Sequence, residues 1–451
     1  MNSQGLKAPG PSAFEVVKSL PLIVGDRLAW MTDVQKKHGD IVRIPLGPRA
    51  VYAVFHPDFL RHVLVVNAKN YWKGRTFEKT ASYMGKGLAT TEGAEWQVQR
   101  RRMNPHFHKD ALKSITTILS DNIELTMDRW KAFAKTGEVI DLATEFQRLA
   151  MESIARALFG TGVPQEKIHS IIEAFKVSLQ FTTSRTLNPF DIPESLPIPS
   201  NIRFKKAVGV MDETVYGMIR AERARTEPSR TLLSVLVRAS DPETGEAMSD
   251  QQVRDEVMTM FLGGTDTSGN TLSWTFYNLD RHPEVRTKSL EEIKKVLGNR
   301  RAEHADLDSL NYIERTIDET LRLFPQNWVG SRDAYGDDVI GGYHIPAGST
   351  VFLGVYRAHR HLDFWRESER FDPDRFLPEN SAGRHPMSYM PFGAGPRKCI
   401  GFQFAMMELK LAISRILQRY EVTLVAPEKI RRYATWSLWP KPGVFAKLRE
   451  I

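Results

Sequence analysis

Phe392-Gly393-Ala394-Gly395-Pro396-Arg397-Lys398-Cys399-Ile400-Gly401 holds the only cysteine of the 451-residue chain. With no second thiol, an intrachain disulfide and a multi-cysteine zinc or iron–sulfur site are excluded. Gly393 and Gly395 permit tight backbone geometry that a side chain would block. Gly401 lets a flat group lie close to the backbone. From Phe402 onward, Ala405, Met406, Leu409, Ile413, Ile416, Leu417 and Tyr420 recur at helical spacing. Cys399 therefore stands at or just before a helix start, with two cations preceding it. Helix N-termini and nearby positive charge both favour an anionic sulfur. The plainer alternative is a buried structural cysteine.

A thiolate in such a loop can ligate a haem iron, pushing electron density toward the metal and favouring O–O cleavage. Arg397 can pair with a haem propionate. As it stands at 392–401, Phe-Gly-x-Gly-x-Arg-x-Cys-x-Gly resembles the haem-binding signature of the cytochrome P-450 family. The resemblance implies haem b, with Cys399 as the metal ligand and Phe392, Gly393, Arg397 and Gly401 around the cofactor. It also implies a mainly α fold with a smaller β-rich part, as one catalytic domain over 1–451.

Ser249-Asp250-Gln251-Gln252 reads as a capping box. Helical patterning then runs without proline to Arg281-His282-Pro283, which predicts a helix of roughly 30 residues, about 45 Å long. In its middle stands Gly263-Gly264-Thr265-Asp266-Thr267-Ser268-Gly269. Each glycine costs about 1 kcal/mol in a helix interior relative to alanine, and local conflicts of this kind mark functional sites. Insertion of one atom of O2 requires two protons to reach the other atom, which leaves as water. An acid and an alcohol in a widened turn can relay them. Asp266 and Thr267 fit those roles, and the segment resembles the family's Ala/Gly-Gly-x-Asp/Glu-Thr-Thr/Ser element at every position.

Glu319 and Arg322 are three apart on a predicted helix and can meet on one face. Phe371-Asp372-Pro373-Asp374-Arg375-Phe376 resembles the family's Pro-Glu-Arg-Phe element, with Asp in place of Glu. The resemblance implies a buried Glu319–Arg322–Arg375 network behind the cysteine loop. Trp96 and Arg100 lie one helical turn apart and can reach a single carboxylate. They resemble the family's Trp-x-x-x-Arg element, which implies contact with a propionate; Arg332 matches a further arginine of that role. His359-Arg360-His361-Leu362 departs from the family's His-Arg-Asp-Pro, which leaves the role of His359 open.

Hydrophobic residues make up 41% and charged residues 26%, enough for a sizeable core. No apolar run is long enough to span a membrane. The polar N-terminus is unlike a signal peptide, so a cytoplasmic location is expected. The formal net charge is +8. If Arg100, Arg101, Arg102, Lys109, Arg397 and Lys398 share a face, they suit an acidic protein partner. Ile41 to Leu46 and Ala50 to Val54, broken at Gly47-Pro48, read as a hairpin; Val339 to Tyr343 and Thr350 to Leu353 read as strands. These place the β-rich part mostly within 35–65 and 335–355.

Matching by position implies a substrate pocket at Tyr83, Met84, Phe181, Phe261, Leu262, Gly263, Asn327, Trp328, Val329 and Trp436 to Leu438, including Ser437. These are mostly apolar, so an apolar, buried substrate is expected: a terpenoid, fatty acid or steroid-like molecule. The leading reading is a haem-thiolate monooxygenase drawing electrons from a separate ferredoxin or flavodoxin, because too few residues follow the cysteine helix for a fused reductase. Two alternatives are weighed. A peroxide-dependent or isomerising relative usually abandons the acid–alcohol pair, which this chain keeps. A haem sensor would not need it.

Overall fold

A computed structural model describes residues 5–45, 51–74, 81–187 and 193–451, with the side chains of 165 and 182–187 left aside. Helices dominate. Those that build the site are α1 (Gly93–Met103), α2 (Lys113–Thr136), α3 (Leu142–Phe159), α4 (Gln165–Leu187), α5 (Pro199–Arg223), α6 (Asp250–Gly264), α7 (Asp266–Arg281), α8 (Asn311–Leu323) and α9 (Phe402–Arg419). Their ends follow local chemistry. Gly137 ends α2 in the left-handed region at φ +70°, and Asp141 caps α3 by accepting the Ala143 N–H. α7 packs along α3 and also touches α8 and α9, so it runs through the middle of the helical part. Trp130, Phe146 and Phe276 meet at ring distances of 5.8 and 5.2 Å in the core between α2, α3 and α7.

The main sheet has five strands: β1 (Ile41–Ile44), β2 (Val51–Val54), β3 (Tyr71–Trp72), β4 (Gly330–Ala334) and β5 (Thr350–Leu353), in the order β1-β2-β5-β4-β3. β1 and β2 pair antiparallel as the expected hairpin. Its turn at Gly47-Pro48 lies outside the described residues. β2 and β5 pair in parallel, Val51 opposite Thr350. One expectation changes: Val339 to Tyr343 is not one strand. Asp338–Ile340 and Tyr343–Ile345 form their own ribbon, because Gly341 and Gly342 turn the chain at φ +56° and +85°. The β content also extends beyond 35–65 and 335–355. Tyr420–Leu424, Phe445–Glu450 and Ile140–Asp141 make a three-stranded sheet, and Arg431–Ala434 pairs with Leu438–Lys441.

Candidate active site

The cysteine loop is built by its glycines. Cys399 donates its N–H to the Phe392 carbonyl at 2.8 Å, closing the loop. Gly393 and Gly395 hold φ of +70° and +66°. A Cβ on Gly395 would stand 1.9 Å from the Leu64 carbonyl oxygen, so no side chain fits there. The sulfur opens into a cavity of about 400 Å³, with Phe392, Gly393, Ile400 and Gly401 in the wall around it. A Cβ on Gly401 would lie 3.8 Å from the sulfur.

The electrostatics of the bare thiol differ from expectation. Burial pushes the Cys399 thiol up, although the Gly401 N–H, Arg100, Lys73 and Lys398 pull the other way. The helix start and the cations reduce this penalty without overcoming it. A coordinated metal cation deprotonates a thiol outright.

One rim of the cavity is cationic. Lys73, Arg100, Arg332 and Arg397 all line it. Arg397 donates to the Thr91 carbonyl at 2.9 Å and pairs with Glu92. Its guanidinium lies 3.9 Å over the Trp96 ring. Glu92 also accepts the Lys73 backbone N–H at 2.6 Å, while the Lys73 ammonium donates to Ala89 O at 2.7 Å. Burial pushes Lys73 down to about 7, helped by Arg397 and Arg332. Burial likewise pushes Arg397 down to about 10 and lowers Arg332 and Arg100. Among the described residues, Glu92 is the carboxylate whose charge raises both Arg332 and Arg397. Four buried or half-buried cations beside one carboxylate fit a dianionic group whose acids end at this rim. Sequence reasoning missed Lys73 and Glu92, which belong to no motif.

Opposite the sulfur, the long helix is not continuous. Ser249 caps α6 by accepting the Gln252 N–H at 3.2 Å. α6 stops at Gly264 and α7 resumes at Asp266; Thr265 between them stays in the right-handed region but is distorted, at φ −88°, ψ −79°. The Thr267 hydroxyl donates to the Gly263 carbonyl at 2.6 Å across the break. Gly263, Thr267 and Ser268 line the cavity. The break is braced from behind: Gln147 donates to Asn270 Oδ1 at 3.0 Å and to the Asp266 carbonyl at 3.4 Å. Gly269 gives Gln147 the room, since a Cβ there would meet it at 2.8 Å. Asp266 is buried beside Thr267, and burial pushes its carboxyl up to about 6.

The family model for cytochrome P-450 matches residues 8–447. The chain is a cytochrome P-450. It is 32% identical over 409 residues to a cyclooctat-9-en-7-ol 5-monooxygenase of Streptomyces melanosporofaciens, covering 90% of this chain and 88% of that one. It is 33% identical over 425 residues to a pentalenene oxygenase of Streptomyces avermitilis, covering 94% and 93%. The crystal structure of a cytochrome P450DA heme domain superimposes with a TM-score of 0.91 at 25% identity, covering 99% of this chain and 98% of that one. The protein is a monooxygenase of this family, whose members use haem iron and O2.

Behind the cysteine loop of this cytochrome P-450, Glu319 and Arg322 form a bidentate pair at 2.6 and 2.7 Å, both fully buried. Glu319 also accepts the Asp372 N–H at 2.9 Å and has Arg375 at 3.4 Å. Arg322 spends its remaining N–H groups on the carbonyls of His359, Ser368 and Arg370. The three residues named from the sequence are thus together. His359 has a place as well. Its Nε2 accepts the Met390 N–H at 2.9 Å and its Nδ1 lies 3.3 Å from Arg322 O. Burial and two neighbouring arginines push it down to about 3, so it is a neutral tie between the network and the segment entering the cysteine loop.

The cavity wall of this cytochrome P-450 takes in Leu262, Gly263 and Asn327, with Leu88, Ala89, Phe107, Ile154, Leu232, Thr259, Met260, Leu353 and Val355. Other residues matched to the pocket by position stand behind that wall, for identifiable reasons. Phe261 packs on Phe159 and Phe175. Phe181 stacks on Phe204 at 4.1 Å. Trp328 donates its indole N–H to Thr435 O, and Ser437 accepts from Asn270. Tyr83 and Met84 are fully buried, and Val329 packs against the core. Most of the cations grouped from the sequence have acidic partners. Arg101 pairs with Asp241 and Glu243, the buried Arg102 with Glu246, and Lys109 with Asp308. Of that set, Lys398 is exposed.

Proposed function

We propose that this cytochrome P-450 inserts one oxygen atom of O2 into a terpenoid, with two electrons from a separate ferredoxin or flavodoxin. The observation that carries the reading is the thiol of Cys399 opening into a largely apolar cavity between a cationic rim and a broken helix. The names of the two Streptomyces relatives support the substrate class. Among the described residues no helix is long and apolar enough to cross a membrane, and we place the enzyme in the cytoplasm.

Haem b, bound through Cys399, would supply the oxygen-activating redox chemistry. Arg100, Arg332, Arg397 and the Trp96 indole N–H would hold its propionates, and Phe392, Gly393 and Gly401 would give its flat face room. Overall, O2, two electrons and two protons yield one inserted oxygen atom and one water. Asp266, with a carboxyl pushed to about 6, can both take and give a proton near neutrality. Thr267, on the cavity wall, would pass it on and release its bond to Gly263 O as it does so. The apolar wall would exclude water and hold the hydrocarbon.

The test is an optical titration of the purified ferric protein with terpenes, fatty acids and steroids. A low-spin to high-spin shift with terpenes alone supports the reading. A shift only with another class sinks the substrate assignment, and turnover with peroxide but not with an electron donor sinks the monooxygenase cycle.

A further inference from the structure

The segment Gly85–Ala89 makes an unusual approach to α6. The Lys86 N–H donates to Asp255 Oδ2 at 2.8 Å and the Leu88 N–H to Glu256 Oε2 at 3.0 Å. Two consecutive carboxylates of α6 thus hold alternate backbone N–H groups of one loop. Glycine makes the approach possible. A Cβ on Gly85 would stand 2.1 Å from Asp255 Oδ1, and one on Gly87 would stand 2.2 Å from Thr259 Oγ1 and 2.6 Å from the Asp255 carbonyl. Gly85 is also at φ +71°. From the other side Gln99 donates to Lys86 O at 2.8 Å.

The held segment ends in the cavity wall, because Leu88 and Ala89 line it. Glu256 is itself fully buried, and its Oε1 meets no partner among the described residues. Burial, with Asp255 and against the Leu88 N–H and Lys73, pushes its carboxyl up to about 8, which favours the neutral acid near pH 7. An ordinary surface cap would not need a buried acid. A buried N–H that loses its acceptor bears a desolvation cost, so the Leu88 backbone stays where Glu256 puts it.

We propose that Asp255 and Glu256 position the 85–89 segment and that Glu256, acting through Leu88 and Ala89, determines which substrate shapes the cavity accepts. Glu256 is a positioning residue: it does not line the cavity. The specificity claim rests on the proposed reading of the cavity as the substrate site, whereas the positioning claim does not.

The test uses the haem-loaded protein with Glu256→Ala, Glu256→Gln and Gly87→Ala. Hydrogen exchange is followed at the 85–89 amides, and dissociation constants are measured by spin shift for terpenes of increasing size. Glu256→Ala should speed Leu88 exchange and change the small-to-large Kd ratio, each about tenfold, as expected for one buried acceptor lost. Glu256→Gln keeps an acceptor oxygen and a neutral group, so it should restore both. Gly87→Ala should mimic Glu256→Ala, because the new Cβ meets a backbone carbonyl that cannot rotate away. Wild-type exchange at Leu88, or an unaltered Kd ratio, in Glu256→Ala would overturn the proposal. Faster exchange in a protein whose wild type binds none of the terpenes would support the positioning and overturn the substrate reading of the cavity.

Discussion

Replacing Glu319 with alanine should be the most damaging single change away from the cavity. Its carboxylate accepts two bonds from Arg322 and one from the Asp372 N–H, with Arg375 as a further cation. Arg322 has no exposure to water and would keep its three carbonyl acceptors and the Trp365 ring, 4.8 Å from its guanidinium. Removing one member of a buried pair costs about 3–5 kcal/mol, because the other charge is left uncompensated. The orphaned Asp372 N–H adds about 1–3 kcal/mol, and the terms share a site and will not add fully. The three surviving carbonyls moderate the loss, so about 4 kcal/mol is expected. Equilibrium urea unfolding measures it, and haem content after expression reports whether the segment behind the cysteine loop still closes. Glu319→Gln should lie between, since one oxygen can satisfy either Arg322 or Asp372 but not both fully. A loss under about 1 kcal/mol with normal haem content would refute the buried-network argument, since that is the range of an exposed pair.

Thr267→Ala removes the hydroxyl on the cavity wall, and product formation should fall about 100-fold, with reducing equivalents diverted to peroxide; unchanged coupling would sink the relay. For Asp266, burial raises the carboxyl from 3.8 to about 6. The folded state therefore holds the proton more tightly, and the associated stability is complete below pH 3.8 and lost as pH rises through 6. Asp266→Asn should raise Tm at pH 8 yet leave it unchanged at pH 3.5, and it should remove any inflection near pH 6 in product formed per electron pair. Gly395→Ala should abolish cofactor incorporation, because its Cβ would lie 1.9 Å from Leu64 O. Gly393→Ala meets no protein atom within 4 Å, so in the haem-free protein it should cost only the left-handed backbone penalty, about 1–2 kcal/mol in urea unfolding.

What could be read from the sequence was what short spacing dictates. The cysteine loop, the glycine-marked irregularity at 263–269 and the Glu319–Arg322 pair are each set within a few residues and stand where local reasoning puts them, although the expected single helix is interrupted at Thr265. The brace on that turn was not legible, because Gln147, which bonds Asn270 and the Asp266 carbonyl, is more than a hundred residues away in sequence. The pocket wall was poorly legible for the same reason. Whether Phe261 or Leu262 faces the cavity depends on the rotation of α6, which packing on Phe159 and Phe175 decides. The arginines after Trp96 looked like one basic surface because charge counts in sequence ignore partners from Asp241 to Asp308. His359 was left open by a motif mismatch at His361. Its own ring, tying Arg322 to Met390, is unaffected by that mismatch.

The charge layout of the cavity follows from these placements. Lys73, Arg100, Arg332 and Arg397 stand at one rim, and among the described residues Glu92 pairs with Arg397 and accepts the Lys73 backbone N–H. Holding such a set half out of water is unfavourable, and the chain relieves it by depressing Lys73 to about 7. In the bare protein a lysine depressed this way opposes folding more as pH falls from 10.5 toward 7, because the unfolded state binds the extra proton. A dianionic cofactor reverses that sign: its carboxylates favour charged Lys73 and relieve the arginines together. The rim is therefore unfavourable until the cofactor arrives, and binding to the folded state alone stabilises it by mass action. The apolar lining, which includes Leu88, Ile154, Leu262, Leu353 and Val355, carries no such burden. On the proposed reading, the same cavity would hold the cofactor by its cations and the hydrocarbon by its apolar lining, with Thr267 on the shared wall.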